Sequence, residues 1–387
     1  MISPNAFLIE DGVLKKYIGN DSDVYIPKGV VSIEANAFRE CTTIEKIVVP
    51  SSVLCIGWGA FAHCENLNEV VFSHDLTTIG GYAFFYCTKL ENLILPQSVT
   101  NIGEGAFANC KSLRNINIPS SVKRLEEHTF DRCNSLTNFI IPYGVIQIDA
   151  DAFWGCQKLK SIVISDSVVQ ISEFAFYGCK KLESIVVSKE NTRYHSNNNC
   201  IIETTTKTLV IGCKTSVIPT DNSVTKIGYG AFCRVPVEEI EIPGSVKEID
   251  NYAFCESNIK KIFIPHSVLK IGEGVFKGCT VLESIITEKD NPVYYSENHC
   301  IIDKRRKTLI SGCNNSCIPQ NGTVRIIEDN AFFGCNFESI LVPKSVIKIG
   351  RDSFFRIGNP VVIKSYKNSY AEKYAKENGI PFEAIEE

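Results

Sequence analysis

Seven phenylalanines recur every 23 residues through the first half of the chain, at Phe38, Phe61, Phe84, Phe107, Phe130, Phe153 and Phe176. A cysteine follows each by three residues, at Cys41, Cys64, Cys87, Cys110, Cys133, Cys156 and Cys179. A fixed period of this length implies stacked coils, each of which buries its apolar face only against its neighbours. Such a chain presents a long surface, so its function has to be sought in what that surface displays.

One period shows how a coil is built. Leu90, Leu93 and Leu95 follow an L-x-x-L-x-L pattern whose centre is a short strand, and Pro96, lacking an amide hydrogen, ends it. Val99 and Ile102 then point inward on the return path, and Gly103 permits a turn. A short helical turn is predicted from Ala106 and Phe107 to about Cys110. Strands recur at Val24–Ile26, Ile47–Val49, Val70–Phe72, Ile116–Ile118, Phe139–Ile141, Ile162–Ile164 and Ile185–Val187. Each is predicted to pair in parallel with the strand one coil away, because a connection of this length returns in the same direction.

The second half changes rhythm. Phe176, Phe232, Phe254, Phe276, Phe332 and Phe354 are separated by 56, 22, 22, 56 and 22 residues. The two long steps carry one insert twice, matched at Asn191 and Asn291, Tyr194 and Tyr294, Cys200 and Cys300, and Cys213 and Cys313. Apolar runs around the polar turn Glu203–Lys207 read as a protruding hairpin on a longer coil. In the 22-residue coils Cys233 and Cys255 directly follow a phenylalanine and so leave the main cysteine column. The ends differ from the coils: residues 1–22 read as an N-terminal cap and 365–387 as a C-terminal helical cap. Tyr370, Ala371, Tyr374 and Ala375 lie on one helix face, and Asn378-Gly379 stops it. Coils fill 23–364, with inserts at about 189–215 and 288–315; together these make one solenoid domain over 1–387.

The repeating unit A-F-x-x-C-x-x-L-x-x-I-x-I-P-x-S-V-x-x-I-G resembles the BspA-like class of leucine-rich repeats over nearly the whole chain. The resemblance implies a right-handed leucine-rich-repeat solenoid. A parallel β-sheet would run along one face, with short helical turns and loops opposite and two hairpin inserts. It also implies a surface or secreted protein of the kind found in anaerobic bacteria and some protozoa, adhesin-like towards matrix proteins or other cells. No catalytic motif comes with it.

Composition narrows the partners. A net charge of −4, with Lys and Arg scattered among acids, argues against a nucleic-acid surface. No apolar run approaches the roughly 20 residues that span a bilayer. Met1–Asn5 shows neither a basic segment nor an apolar core of a signal peptide, which sets a cytoplasmic location against the surface location that the resemblance implies. The 17 cysteines read as a buried, reduced ladder of small apolar groups, with Cys200–Cys213 and Cys300–Cys313 as candidate bridges across the inserts. Cys313 and Cys317 read as two inward positions of one coil rather than metal ligands. The six histidines form no triad or metal motif, and Gly103-Glu104-Gly105 stops short of a phosphate loop. No catalytic, metal or cofactor site is predicted.

Two surfaces remain. The outward residue of each strand gives Val48, Val71, Ile94, Asn117, Ile140, Val163 and Val186, then Phe263 further on, beside a polar row containing Asn92, Asn115 and Asn138. This stripe reads either as β-propensity alone or as a binding surface. The second surface is the hairpin tip Lys304, Arg305, Arg306 and Lys307, a basic cluster that also reads as a solvated turn. Beside it, Tyr294 and Tyr295 read as packing for the longer coil or as a stacking surface. The resulting expectation is a monomer that recognises a protein, such as a matrix or cell-surface protein, without catalysis. An intracellular scaffold and a glycan-binding module are the alternatives.

Overall fold

On the turn side of each coil, successive backbone amides bond alternately to the next coil and to their own. Gly105, Phe107 and Asn109 donate to the carbonyls of Glu127, Thr129 and Asp131 at 2.9, 3.0 and 2.7 Å. Ala106, Ala108 and Cys110 donate to carbonyls three residues back. Every amide in the stretch is thereby satisfied without a helix. The helical turn expected after Phe107 is instead a run of hydrogen-bonded turns. The alternation needs two left-handed residues per coil, such as Gly105 at φ 58° and Asn109 at φ 61°.

The structure, a computed structural model, describes residues 6–356 and 360–386, so the expectation at Met1–Asn5 lies outside the described residues. It forms two compact units, Met1–Ser196 and Asn197–Glu387. The first opens with an antiparallel hairpin, Phe7–Glu10 with Val13–Tyr17. Tyr17 stacks on Phe38 at 5.2 Å, and the phenylalanines from Phe38 to Phe176 then stack ring on ring at 5.0–5.8 Å. Beside them the column cysteines point back along the stack. Cys64, Cys87, Cys110, Cys133, Cys156 and Cys179 each donate from Sγ to the carbonyl of the phenylalanine 26 residues earlier, at 3.1–3.2 Å. Burial pushes the Cys110 thiol up to about 12 and the Cys87 and Cys133 thiols well above their usual range. They pack as small apolar groups.

The strand side departs from the continuous pairing predicted above. In the first unit the parallel ladder comes in three groups: Asp23–Tyr25, Lys46–Val49 and Glu69–Phe72; Asn92–Leu93 and Asn115–Ile116; and Asn138–Ile141, Ser161–Ile164 and Ser184–Val187. A side-chain amide accounts for the second lapse. Asn117 accepts from the Leu95 amide at 2.8 Å and donates to the Leu95 carbonyl at 2.9 Å. It thus takes both backbone groups of the preceding coil and draws 115–118 that way, as Asn side chains do when they compete with a ladder.

The long step from Phe276 to Phe332, in the second unit, is a three-dimensional insert. Asn291, fully buried, donates from Nδ2 to the carbonyls of Pro265 and Val268, and its Oδ1 accepts from the amides of Val293 and Tyr294. Cys300–Asp303 pairs antiparallel with Thr308–Ser311, which in turn pairs in parallel with Ile326–Ile327. Cys200–Glu203, Thr208–Ile211 and Lys226–Ile227 repeat that arrangement. The hairpin therefore does not protrude as predicted: Ile201, Ile202, Leu209, Ile301, Ile302 and Leu309 are core residues, and only the turn is exposed.

The candidate bridges across the inserts are not formed. Cys200, Cys213, Cys300 and Cys313 are free, Cys317 is exposed rather than inward, and Cys233 is bonded to Cys255. The two sit at the same slot of adjacent coils with Cα atoms 4.6 Å apart, and side chains one above another at that spacing meet. At the C-terminus the helix Tyr370–Glu377 is capped by the Ser369 side chain and buries Ala371, Tyr374 and Ala375. Phe382–Ile385 then adds a parallel strand to Val362–Tyr366, which the sequence reading missed.

Candidate recognition face

The outward strand residues of the first unit form an apolar stripe of uneven height. Val48, Asn117 and Val163 are half-buried, whereas Val71 and Val186 are exposed. Ile94 and Ile140 stand out furthest, at 79% and 69% exposure. Lone exposed apolar residues are ordinary on proteins, but two of this size on one strand face call for an account. They flank the lapse at Asn117. There the coils open into a groove of about 830 Å³ lined by Asn92, Ile94, Asn115, Ile116, Asn138, Phe139 and Ile140, among others. Ile116, an inward residue by pattern, is only half-buried there.

The polar row beside the stripe holds itself together in short runs. Lys46 bonds Glu69 at 2.8 Å, and that carboxylate holds the Lys46 ammonium above its ordinary range. Asn115 donates to Asn92 at 2.7 Å, and Ser161 donates to Asn138 at 2.6 Å. No side-chain bond joins Asn115 to Asn138 among the described residues, so this row lapses at the groove as the ladder does. The groove thus combines apolar walls with amide groups from two rows. In the second unit Phe263 and Ile286 are exposed at the equivalent slots of paired strands.

The hairpin tip is less basic in space than in sequence. Arg306 bonds Asp303 at 2.9 Å and Glu328 at 2.8 Å. Burial raises the Asp303 carboxyl, but hydrogen bonds from the Arg306 amide and guanidinium outweigh it and hold it below its usual range. Lys304 donates to the Asn291 carbonyl. Arg305 and Lys307 remain exposed at the turn. Tyr294 is 3% exposed and its hydroxyl accepts from the Ile271 amide at 2.9 Å, so it packs the long coil and offers no stacking surface. Tyr295, half-buried, packs against the core of the last coils.

The sequence reading missed the aromatic side chains on the turn side, because they do not recur with the coil period. Trp58, His63, Tyr82, Phe85 and Tyr86 form one connected cluster there in the first unit.

Residues 9–137, 123–209, 206–305 and 306–375 match the BspA type leucine rich repeat region, in 6 copies. The chain belongs to the BspA-type leucine-rich-repeat family. Leucine-rich-repeat proteins are typically protein-binding, and such solenoids are generally recognition modules without enzymatic activity. The chain is also similar to a leucine rich cell surface protein from Faecalibacterium prausnitzii, at 24% identity and a TM-score of 0.66, covering 100% of this chain and 98% of that one. A leucine rich repeat protein of T. pallidum shares 28% identity over 47% of this chain and 90% of its own, with a TM-score of 0.44. Among curated proteins none matches. The parallel β-solenoid architecture is common to the family and this structure, and among the described residues no helix is long and apolar enough to cross a membrane.

Proposed function

We propose that the chain is a non-enzymatic module that recognises a protein on another cell or in an extracellular matrix, through the strand face of its first unit. The observation that carries this reading is the pair Ile94 and Ile140, the most exposed residues of the stripe, on either side of the groove at Asn117. Exposed apolar residues beside a concavity with amide groups on its rim are the usual makings of a protein-binding patch. The likeness to a protein described as a cell surface protein supports a partner outside the cell.

The test uses Val71→Asp, Ile94→Asp and Ile140→Asp together. These side chains point outward, so the coil should keep its circular dichroism and melting temperature. Labelled parent and variant are applied to intact epithelial cells and to immobilised matrix proteins. The reading requires that the parent binds and the variant loses at least about tenfold in affinity, roughly one well-packed hot-spot residue or more. Equal binding by the two chains would sink it.

A further inference from the structure

A different face of the first unit carries five aromatic rings locked into one cluster. Trp58 and Tyr82 lie 5.8 Å apart, and Phe85 meets Tyr82 edge-on at 5.6 Å. His63 meets Phe85 edge-on at 5.2 Å and stacks on Tyr86 at 5.0 Å. Trp58 is 51% exposed, and the other four are half-buried. The rings rest on glycines of the following coil. A Cβ at Gly81 would meet the Trp58 indole at 3.2 Å, and one at Gly105 would meet the Tyr82 ring at 2.5 Å.

The fold does not ask for these rings. Tyr82, Tyr86 and His63 sit at φ 53°, 60° and 61°, in the left-handed slots of the coil. The other coils of the unit fill the Tyr82 slot with Asn36, Gly59, Gly105, His128, Asp151 and Phe174, so the backbone accepts Gly and Asn there and does not require a ring. A tyrosine there is strained relative to Asn36, Gly59 or Gly105, and a strained position is a pointer to function. The Phe38-to-Phe176 column already supplies the aromatic core.

The groups around the rings indicate the ligand. Tyr82 donates to Glu104 at 2.6 Å, and burial together with that carboxylate pushes its hydroxyl up to about 12, so it keeps its proton at neutral pH. Lys111 lies 5.3 Å from the centre of the Tyr86 ring. The carboxylates of Glu104, Asp131 and Glu127 around Tyr82 outnumber the Lys111 ammonium, which disfavours a polyanion. Fixed ring faces with hydrogen-bonding groups at their edges match a pyranose, whose faces are C–H and whose rim is hydroxyl. We infer that Trp58, Tyr82 and the rings beside them form a binding platform for a neutral oligosaccharide. This site stands apart from the strand-face reading and does not rest on it.

The chain has two tryptophans, Trp58 and Trp154, so a Trp154→Phe background leaves Trp58 as the sole indole reporter. Chitohexaose, cellohexaose, maltohexaose and lacto-N-neohexaose, with a heparin hexasaccharide as the anionic comparator, are titrated to about 5 mM, by Trp58 emission and calorimetry. At least one neutral sugar should bind saturably with Kd between about 10 μM and 1 mM. Trp58→Ala, read by calorimetry, and Tyr82→Asn should each weaken it at least about tenfold. Tyr82→Asn should melt no lower than the background chain, since Asn suits the left-handed slot. No binding by any neutral sugar, binding by heparin alone, or equal binding by both variants would overturn the site. A Tyr82→Asn chain that melts well below its background would show that the ring serves the fold instead.

Discussion

The two units use one coil and hold it together differently. On the side row of the first unit, Ser32, Cys55, Thr78 and Asn101 stack in register as a neutral series, and Arg124, which bonds Asp149 and Glu126, comes before the neutral Gln147 and Gln170. At the equivalent row of the second unit stand Lys226, Glu248 and Lys270. Glu248 bonds Lys226 at 3.1 Å and Lys270 at 2.8 Å, and Asp250 adds a bond to Lys226 at 2.6 Å. The second unit also has the Cys233–Cys255 bond between adjacent coils, where the first leaves its column cysteines free. Both stacks share the column of rings, but an alternating-charge row and a covalent bond are added in the second, where the first has amide pairs and isolated ion pairs such as Lys46–Glu69. It is in the first stack, beside the Asn92–Asn115 amide pair, that Asn117 takes a neighbour's backbone groups and the strand face opens. The difference teaches that a shared repeat sets the coil, while row residues decide whether a face stays closed or becomes a groove.

What the units share should give the largest effect. Phe107→Ala in the first and Phe254→Ala in the second each remove a fully buried ring and should cost about 3–5 kcal/mol in chemical denaturation. A loss below about 1 kcal/mol in either would break the claim of a common aromatic core. Next comes the feature found in the second unit. Replacing Cys233 and Cys255 together by Ala should lower the stability of that unit by about 3 kcal/mol, the chain-entropy value for a loop of this order. Hydrogen exchange should speed up around residues 226–285 and stay unchanged around 38–180. Uniform acceleration would show that the units are not fastened separately.

How much of this was legible in the sequence depends on whether a feature recurs. The phenylalanine period, the inward strand residues and the two inserts repeat, and each copy confirms the others. The insert hairpins at Ile201–Leu209 and Ile301–Leu309 were read as hairpins but wrongly as protruding, because their apolar residues were not followed into the core. Tyr294, read from sequence as packing or as a stacking surface, packs with its hydroxyl against the Ile271 amide. Single events leave no period at all. Asn117 capturing Leu95 is one residue in a stripe of branched ones, and the 22-residue spacing of Cys233 and Cys255 does not mark them out from column cysteines that also share a slot and stay free. The left-handed slots were hidden in the same way, since Gly59, Tyr82 and Gly105 look unrelated until their backbones coincide.

Two smaller effects sharpen the contrast. Asn117→Val removes two hydrogen bonds to Leu95 and should cost about 1 kcal/mol net, the loss being offset by better strand packing. It should also let 115–118 pair with 138–141, slowing amide exchange at Asn138–Ile141. Unchanged exchange there would break the attribution of the groove to Asn117. Smallest is the effect of Asp131, whose carboxyl burial pushes up to about 6, with Arg132 and His128 only partly opposing. A raised carboxyl binds its proton more tightly in the folded chain, so stability falls as pH rises from about 4 through 6. Asp131→Asn should therefore be worth about 1 kcal/mol or less at pH 7.5 and nothing at pH 4, read from melting curves. A gain that is equal at both pH values would contradict the burial account.

The central claim is that recognition belongs to the strand face of the first unit beside the Asn117 groove. The most direct test places a photo-crosslinking residue at position 94, at 263 or at 305, one per chain, and irradiates each labelled chain on intact epithelial cells. The account predicts a covalent adduct with a cell-surface protein from position 94 and none from 263 or 305. Adducts from 263 or 305 with none from 94, or none from any position, would contradict it.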